Sequence, residues 1–287
     1  MRHCFVCRTT KRAHSLCQAV VMAAAFAPAL LLGQQPASPF RLSYAETDRQ
    51  LWALYSQKKV APQQAAALVG ALQRLTTEEI QRRLNSTPGI SATDLSAGLN
   101  EDMVEAMFGQ SVEERRKRSP IVSFVSALAL RAGPSRLYVV GFSVYDDGTT
   151  RNVIDGFREG PKGYSLAARA GEELDGHSIR LVSLNSSSVR EARFLAYGNE
   201  MNDAHTRLTC TLYAFDGRAF RALWRQSGLF QGSVEVKGRT VVLTYQDFER
   251  WQKATPPYFV RETYSETPAG LALVSRQPTD TPPPPPW

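Results

Sequence analysis

The feature that most restricts the fold is a succession of alternating apolar segments, separated by turn residues, that runs from residue 137 to residue 274. Leu137, Val139, Gly141, Ser143 and Tyr145 interleave with Tyr138, Val140, Phe142 and Val144. Both faces of that segment are apolar, so it is expected to be a central strand. Further strands are expected around 153–157, 164–170, 179–184 and 192–197, each bounded by Gly, Asp or Asn. From Thr206 the alternation strengthens, with Leu208, Cys210, Leu212 and Ala214 facing one way and Arg207, Thr209, Thr211 and Tyr213 the other. Asp216-Gly217 supplies the positive-φ residues of a tight hairpin, and Phe220, Ala222 and Trp224 return from it. Lys237-Gly238 turns another hairpin between 234–236 and 241–245, and Pro268-Ala269-Gly270 turns a last one between 258–264 and 271–274. Sequential hairpins make an antiparallel meander. About nine or ten strands exceed one comfortable open sheet, which implies a sandwich, a barrel or a partial propeller. No two blocks match closely in sequence, which counts against the propeller.

Ahead of these segments the period is helical. Leu51, Leu54 and Tyr55, flanked by Trp52, predict an amphipathic helix over 47–58 with Thr47 as its N-cap. Pro62, at a tolerated first turn, opens a second over 62–75 with an alanine-rich body. Thr76-x-x-Glu79 matches a capping box and predicts a third, carrying Ile80 and Leu84 and ending before Ser86-Thr87-Pro88-Gly89. Asn100 is the expected cap of a fourth, with Met103, Val104, Met107 and Phe108. The expected fold class is α+β: short N-terminal helices in a small bundle or array, then an antiparallel β-meander.

With 43% hydrophobic and 21% charged residues the chain is able to bury a core. Its first residues differ in kind. Arg2, Arg8, Lys11 and Arg12 precede an acid-free apolar run from Leu16 to Leu32, with small residues suited to cleavage at Ala27-Pro28-Ala29, Gly33 or Ala37. That is the pattern of a secretory signal peptide. A run of about 17 apolar residues interrupted by Pro28 sits at the lower limit for a membrane helix, so cleavage is expected, with no stable membrane span after it. The expected organisation is a signal peptide over 1–37, a helical region over 38–119, an antiparallel β domain over 120–276 and a Pro-rich tail over 277–287. The tail, with five consecutive prolines from Pro282 to Pro286, is expected to be polyproline II or disordered. The expected location is periplasmic or extracellular.

Loss of the leader and its four basic residues takes the formal charge from +7 to +3. So small a surplus argues against a nucleic-acid partner, which needs a clustered basic face. Arg115-Arg116-Lys117-Arg118 follows Glu113-Glu114 and reads as a cationic helix end. Cys4, Cys7 and Cys17 belong to the leader, and Cys4-x-x-Cys7 lacks the second half of a zinc site, so no metal is expected. Cys210 remains, alternating with Leu208 and Leu212 as a small buried hydrophobe. No G-x-S-x-G, Walker loop, dinucleotide fingerprint or H-E-x-x-H occurs, and no cofactor is expected.

Candidate chemistry is confined to a few groups. His205 closes the polar stretch Asn199-Glu200-Met201-Asn202-Asp203-Ala204 between two strong strands, where oxygen and nitrogen donors could meet a ligand. The same residues also make turns for local reasons. His177, in Asp175-Gly176-His177-Ser178, reads as a loop histidine. Asp146, Asp147 and Asp155 form a second acidic group that could supply paired carboxylates, although Asp147-Gly148 is a hairpin turn. Trp224 and Trp251 are candidate sugar-stacking rings within a region rich in strand-preferring aromatics. The patterning is strong and catalytic signatures are absent. The expected function is therefore an exported non-enzymatic binding or structural module whose partner is another envelope or extracellular protein. The alternatives are a hydrolase of an envelope or extracellular polymer using His205, Asp203, Asp146 or Asp155, and a carbohydrate-binding β domain using Asn199, Glu200, Asn202, Trp224 or Trp251.

Overall fold

The computed structural model describes residues 38–57, 61–108, 125–146, 149–174, 176–184, 191–202 and 205–283. The expected leader, the Arg115–Arg118 run, Asp147, Asp175, Asp203 and the last residues of the Pro-rich tail lie outside them. Among the described residues no helix is long and apolar enough to cross a membrane.

Three helices come first: α1 (Pro39–Tyr55), α2 (Pro62–Ser86) and α3 (Ala92–Phe108). α2 does not break at Thr76. Ala65, Val69, Leu72, Thr76, Ile80 and Leu84 continue one buried stripe at three- and four-residue spacing. The Thr76 hydroxyl donates back to the Leu72 carbonyl at 2.9 Å, and the Thr77 hydroxyl lies 2.9 Å from the Gln73 carbonyl. Thr47 likewise lies inside α1, its hydroxyl donating to the Ser43 carbonyl at 2.8 Å. α3 is capped by Ser91, whose hydroxyl accepts from the Asp94 amide at 3.0 Å. Asn100 is interior to α3, and its side chain brackets the backbone of Val125 with a bond in each direction, at 3.0 and 2.7 Å. The entry to the β region is thereby tied to the helix.

An ionic chain crosses all three helices. Glu79 of α2 meets Arg82 at 2.6 Å and Arg83 at 2.8 Å, and Asp102 of α3 is shared between Arg83 and Arg41 of α1. Burial raises the Glu79 carboxyl, but the hydrogen bonds from Arg82 and Arg83 outweigh it and hold the group below its ordinary value.

The strands form three antiparallel sheets of four, each a meander in strict chain order. The first holds β1 (Ser126–Ala132), β2 (Ser135–Asp146), β3 (Thr149–Gly160) and β4 (Gly163–Ala170). The second holds β5 (His177–Ser183), β6 (Ala192–Asn202), β7 (His205–Phe215) and β8 (Phe220–Phe230). The third holds β9 (Ser233–Lys237), β10 (Thr240–Gln246), β11 (Phe259–Thr267) and β12 (Gly270–Thr279), with a short helix α4 (Phe248–Gln252) between β10 and β11. Expected and observed strands agree apart from β1, which the sequence reading passed over, β5, which His177 opens although it was expected in a loop, β6, which runs on through the Asn199–Asn202 stretch expected to join two strands, and β12, which runs on through Pro278 into residues assigned to the tail.

Strand alternation decides how the layers stack. Tyr138, Val140, Phe142, Val153 and Phe157 on one face of the first sheet join Leu72, Ile80, Leu99 and Met103 of the helices in one core. Leu137, Val139 and Ile154 on its other face pack against Phe194, Ala196, Tyr213 and Phe215 of the second sheet. The opposite face of the second sheet, with Leu195, Cys210 and Leu212, meets Val241, Leu243 and Tyr264 of the third. Helices and three sheets are thus successive layers, and the helical part shares its core with the first sheet. Each large side chain fully withdrawn from water in these seams contributes about 1.5–3 kcal/mol. On the third sheet's outward face polar rows run across β9, β10 and β11: Lys237, Thr240 and Ser265 form one, and Ser233, Thr244 and Arg261 another. Among the described residues no further layer covers that face.

Candidate functional site

In each sheet, the connection between the second and third strands leaves from the same end of the stack. In the first sheet it is the β2–β3 hairpin, where Asp146 pairs with Thr149. In the second it is the β6–β7 hairpin, where Asn202 pairs with His205. In the third, Gln246 pairs with Phe259 and α4 lies between them.

Local contacts hold the three tips in line. Asn152, three residues into β3, accepts from the Ser143 hydroxyl at 2.6 Å and donates to the carbonyls of Leu174 and Gly176 on the way to β5. Gly176, at φ +127°, lies so close to β6 that a Cβ there would meet the backbone of Gly198 and Asn199 at 2.9 Å. On the far side, β8 ends at Phe230, paired with Arg207 of β7, and the next amide, Gln231, donates to the Thr206 carbonyl at 2.7 Å. Phe230 packs on Phe248 and Trp251 of α4, with ring centroids 5.1 and 6.4 Å away.

Most candidate residues consequently share one end. Asn199 pairs with His177 and Leu208, Glu200 with Arg207, and Asn202 with His205, all within the last turns of the second sheet. The Asn199 amide oxygen is buried and has no hydrogen-bond partner among the described residues. Asp203 lies between Asn202 and His205, outside the described residues. Asp146 occupies the corresponding tip of the first sheet.

Asp155 and Trp224 are placed elsewhere. Asp155 pairs with Val140, six residues into β3 from Thr149 and roughly 20 Å from the Asp146 tip at ~3.3 Å per residue. Carboxylates that share a glycosidic bond stand about 5–10 Å apart, so these two do not form such a pair. Asp155 is fully buried, receives Arg169 through two bonds at 2.7 and 2.9 Å, and accepts the Thr77 hydroxyl of α2 at 2.7 Å. It anchors helix to sheet. The hydrogen bonds it donates to Asp155 raise the Arg169 guanidinium further above its already high value. Trp224 stands edge-on to Tyr264, centroids 5.0 Å apart, partly buried against the core between the second and third sheets.

Other described carboxylates in the seams are also engaged. Glu262 accepts from the hydroxyls of Tyr245 and Tyr264 at 3.0 and 2.7 Å and pairs with Arg276 at 3.4 Å. Burial, reinforced by the Glu262 charge, pushes the Tyr245 phenol up to about 12. Glu266 is held between Arg193 and Arg239, each at 3.3 Å. No group of three or more His, Cys, Asp or Glu able to hold a metal occurs among the described residues.

The aromatic platform at this end was only half legible. Trp251 stood among the candidates, but Phe248 and Phe230 did not. In the structure Phe248 and Trp251 stack at 5.8 Å and 29°, and are 43% and 45% exposed. The signal was Asp247 followed by two large aromatics three residues apart. Asp247 caps α4 by accepting from the Arg250 amide at 3.1 Å, and one helical turn then sets both rings on one side.

No protein-family model matches the chain, and no curated protein matches it. Three of the solved structures similar to it are of an α-L-arabinofuranosidase, Arb93A, from Fusarium graminearum. A mutant of that enzyme with an iminosugar inhibitor is 14% identical with a TM-score of 0.30, covering 51% of this chain and 46% of that one. The enzyme with an iminosugar inhibitor gives 13% and 0.31, covering 56% and 50%. The complex with arabinobiose gives 14% and 0.31, covering 52% and 46%. The matched part spans about half the length of these enzymes. A likeness of this degree carries no activity across.

Proposed function

We propose that this chain is an exported, non-enzymatic binding module whose contact surface is the hairpin end of the three-sheet stack, and whose partner is another envelope or extracellular protein. The observation behind this reading is the convergence at that end of the Asn199–His205 hairpin, the Asp146 tip and the Phe248/Trp251 platform. Loops and tips held on a rigid sheet are where recognition residues usually sit. The two rings leave roughly 150–200 Å² of aromatic surface in water, the size of a single interface anchor. Asp155, Glu262 and Glu266 are occupied by arginine, threonine or tyrosine partners inside the seams, which favours binding over acid–base catalysis. Sugars also stack on exposed aromatic faces, so a glycan would use the same platform.

The test places a photo-crosslinking residue at position 251 or at position 218, in the full chain expressed in its own host. Arg218 belongs to the β7–β8 turn at the opposite end of the second sheet. Adducts to a discrete protein from position 251 alone support the reading. Equal labelling from both positions, or none from 251, removes it.

A further inference from the structure

We infer that Trp224, Tyr264 and Glu262 form a relay for one-electron oxidation, which a small radical oxidant starts at Trp224 and which comes to rest on Tyr264 as its phenol proton passes to Glu262. The relay lies between the second and third sheets and is independent of the contact surface at the hairpin end.

Its parts come from facing strands of two sheets. β8 is the last strand of the second sheet, and on it Trp224 pairs with Leu212 and packs toward the third sheet. As a residue of an edge strand it is only half-buried, so part of the indole stays within reach of a solute. Tyr264 of β11 is 4% exposed and meets that indole edge-on, with ring centroids 5.0 Å apart. Its hydroxyl donates to Glu262 Oε2 at 2.7 Å and receives Gln226 Nε2 at 3.5 Å. Glu262, itself buried, also accepts from the Tyr245 hydroxyl at 3.0 Å and lies 3.4 Å from the Arg276 guanidinium.

The chemistry follows from that order. Indoles lose an electron readily, and rings in contact exchange one without a carrier. A phenol is oxidised only if its proton leaves with the electron, because the phenol radical cation is a very strong acid. Burial, reinforced by the bond to Glu262 and its charge, holds the Tyr264 phenol above its ordinary value, so it starts protonated. The ring is shielded from bulk water as a base, whereas the Glu262 carboxylate already accepts its hydrogen bond. The oxidant takes one electron from Trp224, Tyr264 returns one electron to the indole, and the phenol proton moves to Glu262 Oε2. The indole ends unchanged, the oxidant is reduced by one electron, and a neutral phenoxyl stands beside a neutral carboxyl. Trp251 differs, for the rings it packs on are Phe230 and Phe248, which do not give an electron to an indole radical.

The test generates azide radicals by pulse radiolysis in a neutral solution of the full chain and follows the indolyl and phenoxyl absorptions, since azide radicals oxidise tryptophan in preference to tyrosine. A first-order conversion of indolyl to phenoxyl is expected, at a rate that does not depend on protein concentration. Trp224→Phe and Tyr264→Phe should each abolish that phase, and Trp52→Phe and Trp251→Phe should leave it. Glu262→Gln should slow it by roughly 10²-fold, the lower end of what a positioned proton acceptor contributes. Heavy water should slow it in the unaltered chain, which tests the proton step without any substitution. A phase that survives in Trp224→Phe or in Tyr264→Phe overturns the inference. So does one that heavy water does not slow, or that runs unslowed in folded Glu262→Gln protein. The lack of any conversion independent of concentration overturns it as well.

Discussion

Arg169→Ala should destabilise the protein more than removal of the carboxylate it serves. Asp155 is fully buried at the joint between α2 and the first sheet, and Arg169 and Thr77 satisfy its oxygens. Without the guanidinium, an ionised carboxylate is left in a dry seam, at a cost of about 3–5 kcal/mol. The converse change is milder. The Arg169 side chain is 37% exposed and turns to water when its partner goes, and the Thr77 hydroxyl can turn its one hydrogen to the Gln73 carbonyl, 2.9 Å away. Asp155→Asn, which also retains an acceptor for Thr77, should therefore cost about 1–2 kcal/mol. The double variant Asp155→Leu/Arg169→Ala buries no charge and should be more stable than Arg169→Ala alone. Urea unfolding at neutral pH would measure the set, the worst case moving the midpoint by about 1–2 M. If Asp155→Asn proved as damaging as Arg169→Ala, or the double variant were the least stable, the anchoring account of Asp155 would be refuted.

Cys210 is walled in by the second and third sheets, and burial pushes its thiol up to about 12. Alkylation of the native protein at pH 8 should run at least about 10³-fold slower than for a free cysteine, and labelling at the free rate would contradict the packing. Glu79, whose carboxyl lies below its ordinary 4.5, contributes stability that is fully present above that pH and is lost as pH falls through the depressed value. Glu79→Gln should flatten the loss of stability seen below about pH 4.5 in urea titrations, and an unchanged acid slope would argue against the ionic chain. Gly156 lets β3 approach Phe220, and a Cβ there would stand 2.6 Å from the ring. Gly156→Ala should cost about 1–3 kcal/mol by thermal melting, and a neutral result would mean that the Phe220 ring moves aside freely.

Strands and hairpins were legible because alternation and Asp-Gly, Lys-Gly or Ala-Gly turns are local signals, and Gly217, Gly238 and Gly270 do take positive φ. β1 was not, since Ser126–Ala132 is built from Ala and Leu, which prefer helices, and becomes a strand only by pairing with β2. The caps at Thr47, Thr76 and Asn100 misled for a related reason. Each residue fits a helix start, but the apolar stripe runs past it in phase, and tertiary partners such as Val125 absorb its polar groups. Three similar sheets arose from blocks with no visible sequence repeat, because a four-stranded meander constrains the pattern of side chains and not their identity. The gathering of His177, Asn199, Asn202, His205 and Trp251 at one end depends on how sheets stack. That information sits in contacts such as Gly176 against Asn199, far from any single motif.

The outward face of the third sheet has a consequence for handling the protein. Glu235 lies between Lys237 at 2.7 Å and Arg261 at 3.8 Å, and threonines and serines fill the rows around Val242. Exchanging Thr244 and Thr263 for leucine would widen the apolar area around Val242, and molecules would be expected to clump face to face. The hydroxyls on that outermost surface thus serve the protein's solubility more than its fold.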